Sequence, residues 1–173
     1  MICFITGGTR SGKSRYASQL ARKLCKHPVY VATARILDDD FRRRVDRHIA
    51  DRDEHWSVIE EEKHIGKIDY SGKVTVIDCL TLWLTNFFAD LNGDIDKCLE
   101  VAKSELNAIS DRDATVIIIS NEIGMGLHAE TETGRKFADL QGWINQYIAA
   151  KADKVILMVS GIPITIKENN ENV

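Results

Sequence analysis

The sequence contains no apolar run long enough to cross a membrane, since none approaches the ~18 consecutive apolar residues that a spanning helix needs. Residues 1–5 form only a brief apolar stretch, which glycines soon interrupt. That stretch is too short for the apolar region of a secretion signal and has no basic flank. We therefore expect a cytoplasmic protein without a membrane span.

Cysteine pairs and an excess of basic charge are also missing. The four cysteines, Cys3, Cys25, Cys79 and Cys98, are scattered, with neither a C-x-x-C pair nor the spacing of a metal site. We expect reduced thiols, several of them buried as small apolar side chains. The formal net charge of -3 gives no electrostatic argument for a nucleic-acid partner. The composition therefore argues against membrane, metal-cluster and nucleic-acid-binding classes.

Segments of strand length alternate with longer amphipathic segments along the chain. The 173 residues, of which 44% are apolar and 28% charged, suit one domain spanning residues 1–173, with a polar tail from about residue 168. Strands are predicted at residues 2–5, 29–32, 74–77, 116–119 and 155–159, with an edge hairpin at 162–166. Helices are predicted at residues 13–26, 41–52, 80–91, 94–110 and 134–152. This alternation predicts an α/β fold, a doubly wound and mostly parallel sheet flanked by helices, with residues 116–119 as a central strand.

A glycine-rich segment follows the first predicted strand. Gly7-Gly8-Thr9-Arg10-Ser11-Gly12-Lys13-Ser14 matches the phosphate-binding pattern G-x-x-x-x-G-K-[ST]. Glycines let backbone N–H groups turn inward around a phosphate chain, and the helix that follows adds the positive end of its dipole. Lys13 is predicted to reach the β- and γ-phosphates, and Ser14 to bind Mg²⁺. The alternative is a glycine-rich turn that binds nothing, but the preceding strand and following helix favour a P-loop.

Two carboxylates follow predicted central strands. Asp78 closes the third strand, where it can hold Mg²⁺ directly or through water, and the alternative is an aspartate that caps the next helix. Glu122 follows the fourth strand, as a base, a member of the metal shell or a solvated loop residue. The chain has no Asn-Lys-x-Asp motif, which argues against a regulatory GTPase. Its small size favours a small-molecule kinase or transferase.

Further blocks of sequence occur in an order that is similar to one family. They are Tyr30-Val31-Ala32-Thr33, Ile36-Leu37-Asp38-Asp39, Arg44-Val45-Asp46-Arg47-His48, His55-Trp56, Asp78-Cys79-Leu80-Thr81, Leu84-Thr85-Asn86, Ser120-Asn121-Glu122-Ile123-Gly124-Met125-Gly126 and Val159-Ser160-Gly161. With these blocks and the P-loop, nearly the whole chain resembles the bifunctional adenosylcobinamide kinase / adenosylcobinamide-phosphate guanylyltransferase of cobalamin biosynthesis. The resemblance implies a RecA-like P-loop fold and adenosylcobinamide, GTP and ATP as small-molecule substrates.

Two reactions are implied by this resemblance. In the first, the hydroxyl of the aminopropanol arm of adenosylcobinamide is phosphorylated with ATP or GTP. In the second, His48 attacks the α-phosphorus of GTP, and the phosphorylated corrinoid takes GMP from the histidine to give adenosylcobinamide-GDP. A neutral imidazole suits this step because it is nucleophilic near neutral pH. From spacing alone, His48 also fits a core histidine, since it shares a predicted helix face with Phe41 and Val45.

The resemblance also implies a set of site residues. The catalytic residues are His48 and Lys13, and Mg²⁺ is expected at Ser14 and Asp78. Relatives often carry Glu where Asp78 stands, so a water-bridged metal contact is favoured over a direct one. The implied nucleotide contacts are Gly7, Gly8, Thr9, Arg10, Ser11, Gly12, Lys13, Ser14, Ala32, Thr33, Ala34, Ile49, Ala50, Asp51, Arg52, Glu60 and Asp78. Asp51 or Glu60 could accept hydrogen bonds from guanine, although Glu60 also fits a solvated acidic run.

Other interpretations stay open at this point. A hinge near residues 34–38 is one way for His48 to reach the α-phosphorus, and rebinding of GTP is another. The family implies a homotrimer, which nothing in the composition indicates. A P-loop kinase of another small alcohol, or a GTP-binding regulatory module, would share the same phosphate loop.

Overall fold

A seven-stranded sheet organises the residues that the structure, a computed structural model, describes: 1–36, 54–110 and 114–169. Its strands are β1 (Ile2–Gly7), β2 (Val29–Ala32), β3 (Ser57–Glu60), β4 (Val74–Asp78), β5 (Thr115–Ile119), β6 (Lys154–Val159) and β7 (Ile162–Glu168). They lie in the order β3-β2-β4-β5-β1-β6-β7, and all pairings are parallel except the β6–β7 hairpin. The predicted fold class is confirmed, with β5 central.

Helices cover both faces of the sheet. They are α1 (Lys13–Leu24), α2 (Leu80–Asp90), α3 (Ile95–Ser110) and α4 (Glu132–Lys151), with a short 3₁₀ helix at Ile65–Lys67. α1 packs on one face through Ala17 and Ala21, whereas α2, α3 and α4 pack on the other. Within the described ranges, none of them combines the length and the apolar character that a membrane crossing requires.

Successive side chains of a central strand enter different cores. In β1, Ile2 and Phe4 join the apolar cluster under α2, α3 and α4, whereas Cys3 and Ile5 join the cluster under α1. A strand that is covered on both faces has no solvent side, so its apolar residues need not alternate with polar ones. This double burial explains the uninterrupted apolar sequence of the central strands.

The predicted state of the cysteines is confirmed. All four are free thiols, and Cys3, Cys79 and Cys98 are buried. Burial raises the pKa of the Cys79 thiol to about 12, so this group beside the phosphate loop is neutral near pH 7. A neutral buried thiol packs as a small apolar side chain and offers no nucleophile.

Several boundaries differ from the sequence predictions. β3 was missed because it is a four-residue edge strand whose side chains are mostly exposed, so it lacks an apolar pattern. The last helix begins at Glu132 rather than 134, because Thr131 caps it by accepting a hydrogen bond from the Gly134 amide at 3.0 Å. The polar tail was predicted from about residue 168, but this residue still belongs to the last strand. Glu168 ends β7, and its carboxylate pairs with Lys154 at 2.7 Å.

α2 holds the chain where it leaves β2. Asn86, buried in this helix, donates hydrogen bonds from Nδ2 to the carbonyls of Thr33 and Glu62, both at 2.9 Å. Thr33 in turn donates from Oγ1 to the carbonyl of Cys79 at 2.9 Å. The segment that follows β2 is therefore fixed to α2 and to the segment after β3.

An ion-pair cluster also attaches the segment after β2 to α2. Arg35 donates from Nε to Glu62 at 2.7 Å, and its two Nη atoms donate to the two oxygens of Asp90 at 2.8 and 3.0 Å. Lys63 also pairs with Asp90. Hydrogen bonds from Arg35, and then from Lys63, lower the pKa of the Asp90 carboxyl well below its usual range.

Replacing Asp90 with Asn should destabilise the protein only where the carboxyl of the wild type is ionised. Since the folded-state pKa lies below the ordinary value of 3.8, the ionised group contributes stability that is fully present above 3.8 and is lost below it. We expect the urea midpoint of Asp90→Asn to lie below that of the wild type at about pH 6 and to converge with it under more acidic conditions. Asp139→Asn, exposed on α4, is the matched control, and a difference for Asp90→Asn that is constant with pH would contradict the assignment.

Two glycine substitutions should change stability in opposite directions. A Cβ at Gly66 would lie 2.8 Å from Glu105 Oε2 and 2.9 Å from the Glu105 carbonyl, whereas a Cβ at Gly142 in α4 would meet nothing within 4 Å. We expect Gly66→Ala to lower the free energy of unfolding by about 1–3 kcal/mol through overpacking. Gly142→Ala should raise it by about 0.5–1 kcal/mol, because alanine loses less backbone entropy in a helix. Urea denaturation measures both, and a stabilised Gly66→Ala would show that this contact is not tight.

Candidate active site

The carboxyl ends of the parallel strands bring several predicted site residues to one edge of the sheet. The strand register pairs Glu60 with Ala32, Ala32 with Asp78, and Asp78 with Ile119, so these residues form a row across neighbouring strands. The predicted phosphate loop leaves β1 at the same edge. Open parallel sheets bind their ligands at this edge, which makes it the candidate active site.

The phosphate loop, residues 7–14, connects β1 to α1 through backbone conformations that favour glycine. Gly12 is the N-cap of α1 with a φ of 96°, and Gly7 has a φ of 150°. A Cβ at Gly7 would lie only 2.5 Å from the carbonyl oxygen of Met158 in β6. The turn between β6 and β7 also supports the loop, because the Gly161 amide donates to the Ser11 carbonyl at 2.9 Å. Gly8, Thr9 and Arg10, at the outer part of the loop, are exposed.

Lys13 is buried at the start of α1, with only 8% of its surface exposed. Its Nζ donates to the carbonyls of Gly7 and Gly8 at 2.9 and 2.7 Å. Burial lowers the pKa of Lys13, while Cys79 and Asp78 act in the opposite direction. The ammonium group is therefore held inside the loop, near the strand end that carries Asp78.

Asp78 ends β4, and its environment differs from that of a helix cap. The N-cap of α2 is Cys79, which makes no side-chain capping bond, so the alternative interpretation of Asp78 as the cap is wrong. Instead, Asp78 Oδ2 accepts a hydrogen bond from the Tyr30 hydroxyl at 2.8 Å. Carboxylate and hydroxyl oxygens are ligands that Mg²⁺ prefers, and this ion usually takes its other ligands from phosphates and water. Asp78 and the Ser14 hydroxyl, in the first turn of α1, therefore fit the metal of a P-loop site.

Glu122 lies beside the phosphate loop through its backbone. Its amide donates to the Gly7 carbonyl at 3.0 Å, while its Oε1 accepts from the Gly124 amide at 2.7 Å. Behind it, Ser120, Gln141 and Asn145 form a buried hydrogen-bond network between β5 and α4. The Glu122 carboxylate therefore stabilises the turn at Gly124, and the Glu122 backbone amide fixes the start of the phosphate loop.

Some of the remaining predicted site residues lie in described segments, and the others lie outside them. Ala34 follows Thr33 in the segment that is attached to α2, and Glu60 is exposed at the end of β3. The predicted nucleophile His48 and the predicted contacts Ile49, Ala50, Asp51 and Arg52 lie outside the described residues, as does the helix predicted at 41–52. The His55 ring packs edge-on against the His27 ring, with centroids 5.5 Å apart.

Two groups of residues that support this edge were not predicted. Tyr30 orients Asp78 from the neighbouring strand, and the cluster of Arg35, Glu62, Lys63 and Asp90 fixes the chain after β2. The sequence indicates Tyr30 as a residue of a predicted strand and of a block that resembles the family, and neither assigns it a role. Asn86, which holds the same segment after β2, is signalled only as a polar residue within the apolar segment of α2 and as part of another such block, again without a role.

Solved structures similar to this chain include an ATPase domain and a flagellar accessory protein. The match to the ATPase domain covers 99% of this chain and 78% of that chain, with 13% identity and a TM-score of 0.47. The match to the flagellar accessory protein FlaH from Methanocaldococcus jannaschii covers 97% of this chain and 78% of that chain, with 11% identity and a TM-score of 0.48.

Curated relatives are much more similar in sequence. The bifunctional adenosylcobalamin biosynthesis protein CobU of Escherichia coli is 36% identical, over 96% of this chain and 100% of the relative. The protein of the same name from Salmonella typhimurium is 35% identical over 96% and 100%, and CobP of Pseudomonas aeruginosa is 35% identical over 94% and 95%. The family model for cobinamide kinase / cobinamide phosphate guanyltransferase matches residues 3–166. The chain therefore belongs to the cobinamide kinase / cobinamide phosphate guanyltransferase family.

Proposed function

We propose that this chain is a transferase that phosphorylates adenosylcobinamide with ATP or GTP and then transfers GMP from GTP to the product, giving adenosylcobinamide-GDP. The observation that carries the proposal is the phosphate loop, with Lys13 buried near Asp78, in a chain that matches this family over residues 3–166. Relatives of 35–36% identity that are named as bifunctional adenosylcobalamin biosynthesis proteins support both activities.

The kinase reaction uses the phosphate loop. The corrinoid hydroxyl attacks the γ-phosphorus, and the bond from that phosphorus to the β–γ bridging oxygen breaks, so that the nucleoside diphosphate leaves. The backbone amides of residues 7–14 bind the phosphates, and Lys13 stabilises the charge that develops on them. We assign Mg²⁺ to Ser14 and Asp78, where Tyr30 orients the carboxylate. A metal ion held there would supply positive charge that stabilises the phosphates.

The guanylyl transfer uses His48. A ring nitrogen of its neutral imidazole attacks the α-phosphorus of GTP, a P–N bond forms, and pyrophosphate leaves. A phosphate oxygen of the phosphorylated corrinoid then attacks the same phosphorus, which breaks the P–N bond and restores the histidine. The chain that leads to His48 leaves the sheet after β2, where Asn86 and Asp90 hold it to α2.

The nucleotide contacts and the state of the protein complete the proposal. We assign nucleotide contacts to residues 7–14, 32–34 and 49–52, together with Glu60 and Asp78. The register that aligns Ala32, Glu60 and Asp78 supports part of this set. We also propose that residues 1–173 act as one domain, that the protein forms a homotrimer, and that it works in the cytoplasm.

Incubation with α-labelled GTP and Mg²⁺ should leave a covalent label on the denatured chain that is labile in acid and stable in alkali. Such lability distinguishes a phosphoramidate from a phosphate ester on a hydroxyl group. The label should vanish in His48→Ala and persist in His55→Ala, the matched histidine control. γ-Labelled GTP should leave no label, because pyrophosphate carries the γ-phosphate away. A wild type that never takes the α-label would leave a monofunctional P-loop kinase as the better interpretation.

Replacement of Lys13 by Met should lower the rate of both reactions, because each uses a triphosphate bound in the same phosphate loop. We expect kcat for corrinoid phosphorylation to fall by about 100-fold or more, the usual loss for one preorganised electrostatic group. Lys23→Met, exposed in the last turn of α1, is the matched control and should keep the wild-type rate. Initial rates at saturating GTP measure the effect, and a Lys13→Met protein with a normal kcat would remove Lys13 from the chemistry.

A further inference from the structure

The loop between β5 and α4 exposes three large apolar side chains close together in sequence. Ile123, Met125 and Leu127 are 37%, 80% and 99% exposed, and they alternate with Gly124 and Gly126. We call residues 123–127 the apolar loop. It carries no charged residue, although charged side chains make up 28% of the chain. A contiguous exposed apolar group of this kind is typical of a binding surface, whereas isolated exposed apolar residues are ordinary.

Hydrogen bonds fix the chain on both sides of the apolar loop. Before it, the Asn121 amide donates to Thr81 Oγ1 at 3.0 Å, and Asn145 Nδ2 donates to the Asn121 carbonyl at 3.2 Å. After it, Arg135 Nη1 donates to the carbonyls of Ala129 and Glu130 at 3.1 and 2.8 Å. The loop that carries the three apolar side chains is thus anchored at both ends. This anchoring lowers the conformational entropy that the loop loses when a ligand covers it.

The apolar loop is also joined to the phosphate loop. The residue immediately before it, Glu122, donates its amide to the Gly7 carbonyl at 3.0 Å, and the same carbonyl accepts from Lys13 Nζ at 2.9 Å. Ile123 is therefore one residue away from a backbone contact with the phosphate site. A molecule that covers the apolar loop near Ile123 would therefore lie next to the phosphate loop, on the part of the molecule to which the acceptor of a kinase reaction has to bind.

We propose that the apolar loop binds the corrinoid macrocycle and holds its hydroxyl-bearing arm toward the γ-phosphoryl group. A corrinoid is a broad ring system with many methyl groups on its periphery, so it offers an apolar surface of a size that three side chains can cover. The flexible thioether of Met125 adapts to an irregular surface of this type. This inference rests on the proposed function and adds to it the residues that recognise the acceptor.

The test compares three variants with the wild type. In Met125→Ser/Leu127→Ser the apolar contacts are removed. In Met125→Leu/Leu127→Met they are kept. Leu24→Ser/Ile166→Ser removes two side chains, 49% and 60% exposed, at the end of α1 and on β7. Transfer of the γ-label from GTP to adenosylcobinamide gives KM and kcat for adenosylcobinamide, and α-labelling of the protein without corrinoid reports on the nucleotide site. Light scattering gives the mass of each variant.

The Met125→Ser/Leu127→Ser variant (the serine loop variant) should raise the KM for adenosylcobinamide by about tenfold, the usual loss for missing apolar contacts, and leave kcat nearly unchanged. Its KM for GTP and its α-labelling should match the wild type, and the other two variants should behave like the wild type throughout.

Three results would overturn the inference. An unchanged KM for adenosylcobinamide would show that the loop does not bind the corrinoid. Parallel losses in GTP binding and α-labelling would show that the loop only supports the phosphate site. A changed mass of the serine loop variant would place the loop between copies of the chain. A wild type that phosphorylates no adenosylcobinamide would instead overturn the proposed function, and the inference with it, without reference to any variant.

Discussion

At the end of β1, two other parts of the backbone and the Lys13 side chain meet around Gly7. The Met158 carbonyl of β6 approaches so closely that a Cβ on Gly7 would lie 2.5 Å from it. The Gly7 carbonyl itself accepts from the Glu122 amide at 3.0 Å and from Lys13 Nζ at 2.9 Å. One residue thus ties the phosphate loop to the strand on one side of β1 and to the loop that follows the strand on the other side. Any other residue at this position would separate β1 from β6 and displace the start of the phosphate loop.

The buried charge of Lys13 follows from that arrangement. Removal of an ammonium group from water is unfavourable, which is why burial lowers its pKa. Two backbone carbonyls and the neighbouring Asp78 offset part of this cost, and a triphosphate would offset far more of it. A cation that is fixed and poorly hydrated before the substrate arrives needs little reorganisation when charge develops on the phosphates. Stability is thereby exchanged for electrostatic preorganisation, and we expect the phosphate loop to be stabilised when nucleotide binds.

The sequence predicted those parts of the molecule whose signals are local. The phosphate loop is a contiguous pattern, and the central strands are contiguous apolar segments, so both could be found without a partner. β3 could not, because Ser57–Glu60 becomes a strand only through pairing with β2, and its side chains remain mostly exposed. The support of Asp78 by Tyr30 depends on the register between two strands that lie 48 residues apart in sequence. The resemblance to a family named His48 and its neighbours, which lie outside the described residues, and so those assignments remain predictions.

The strand order also bears on how one triphosphate-binding site could serve two reactions. Between β1 and β2 lie β5 and β4, so the chain that leads to His48 leaves the sheet three strand spacings from the phosphate loop. At the usual spacing this is about 14 Å. The apolar loop leaves β5, which is adjacent to β1. β5, β4 and β2 all lie on the same side of β1, so under the two proposals the corrinoid and the chain segment that leads to His48 approach the phosphate loop from the same side, at different distances. Because they share this side, we expect the two nucleophiles to act in turn on separate triphosphate molecules, the hydroxyl on the γ-phosphorus of one and His48 on the α-phosphorus of another.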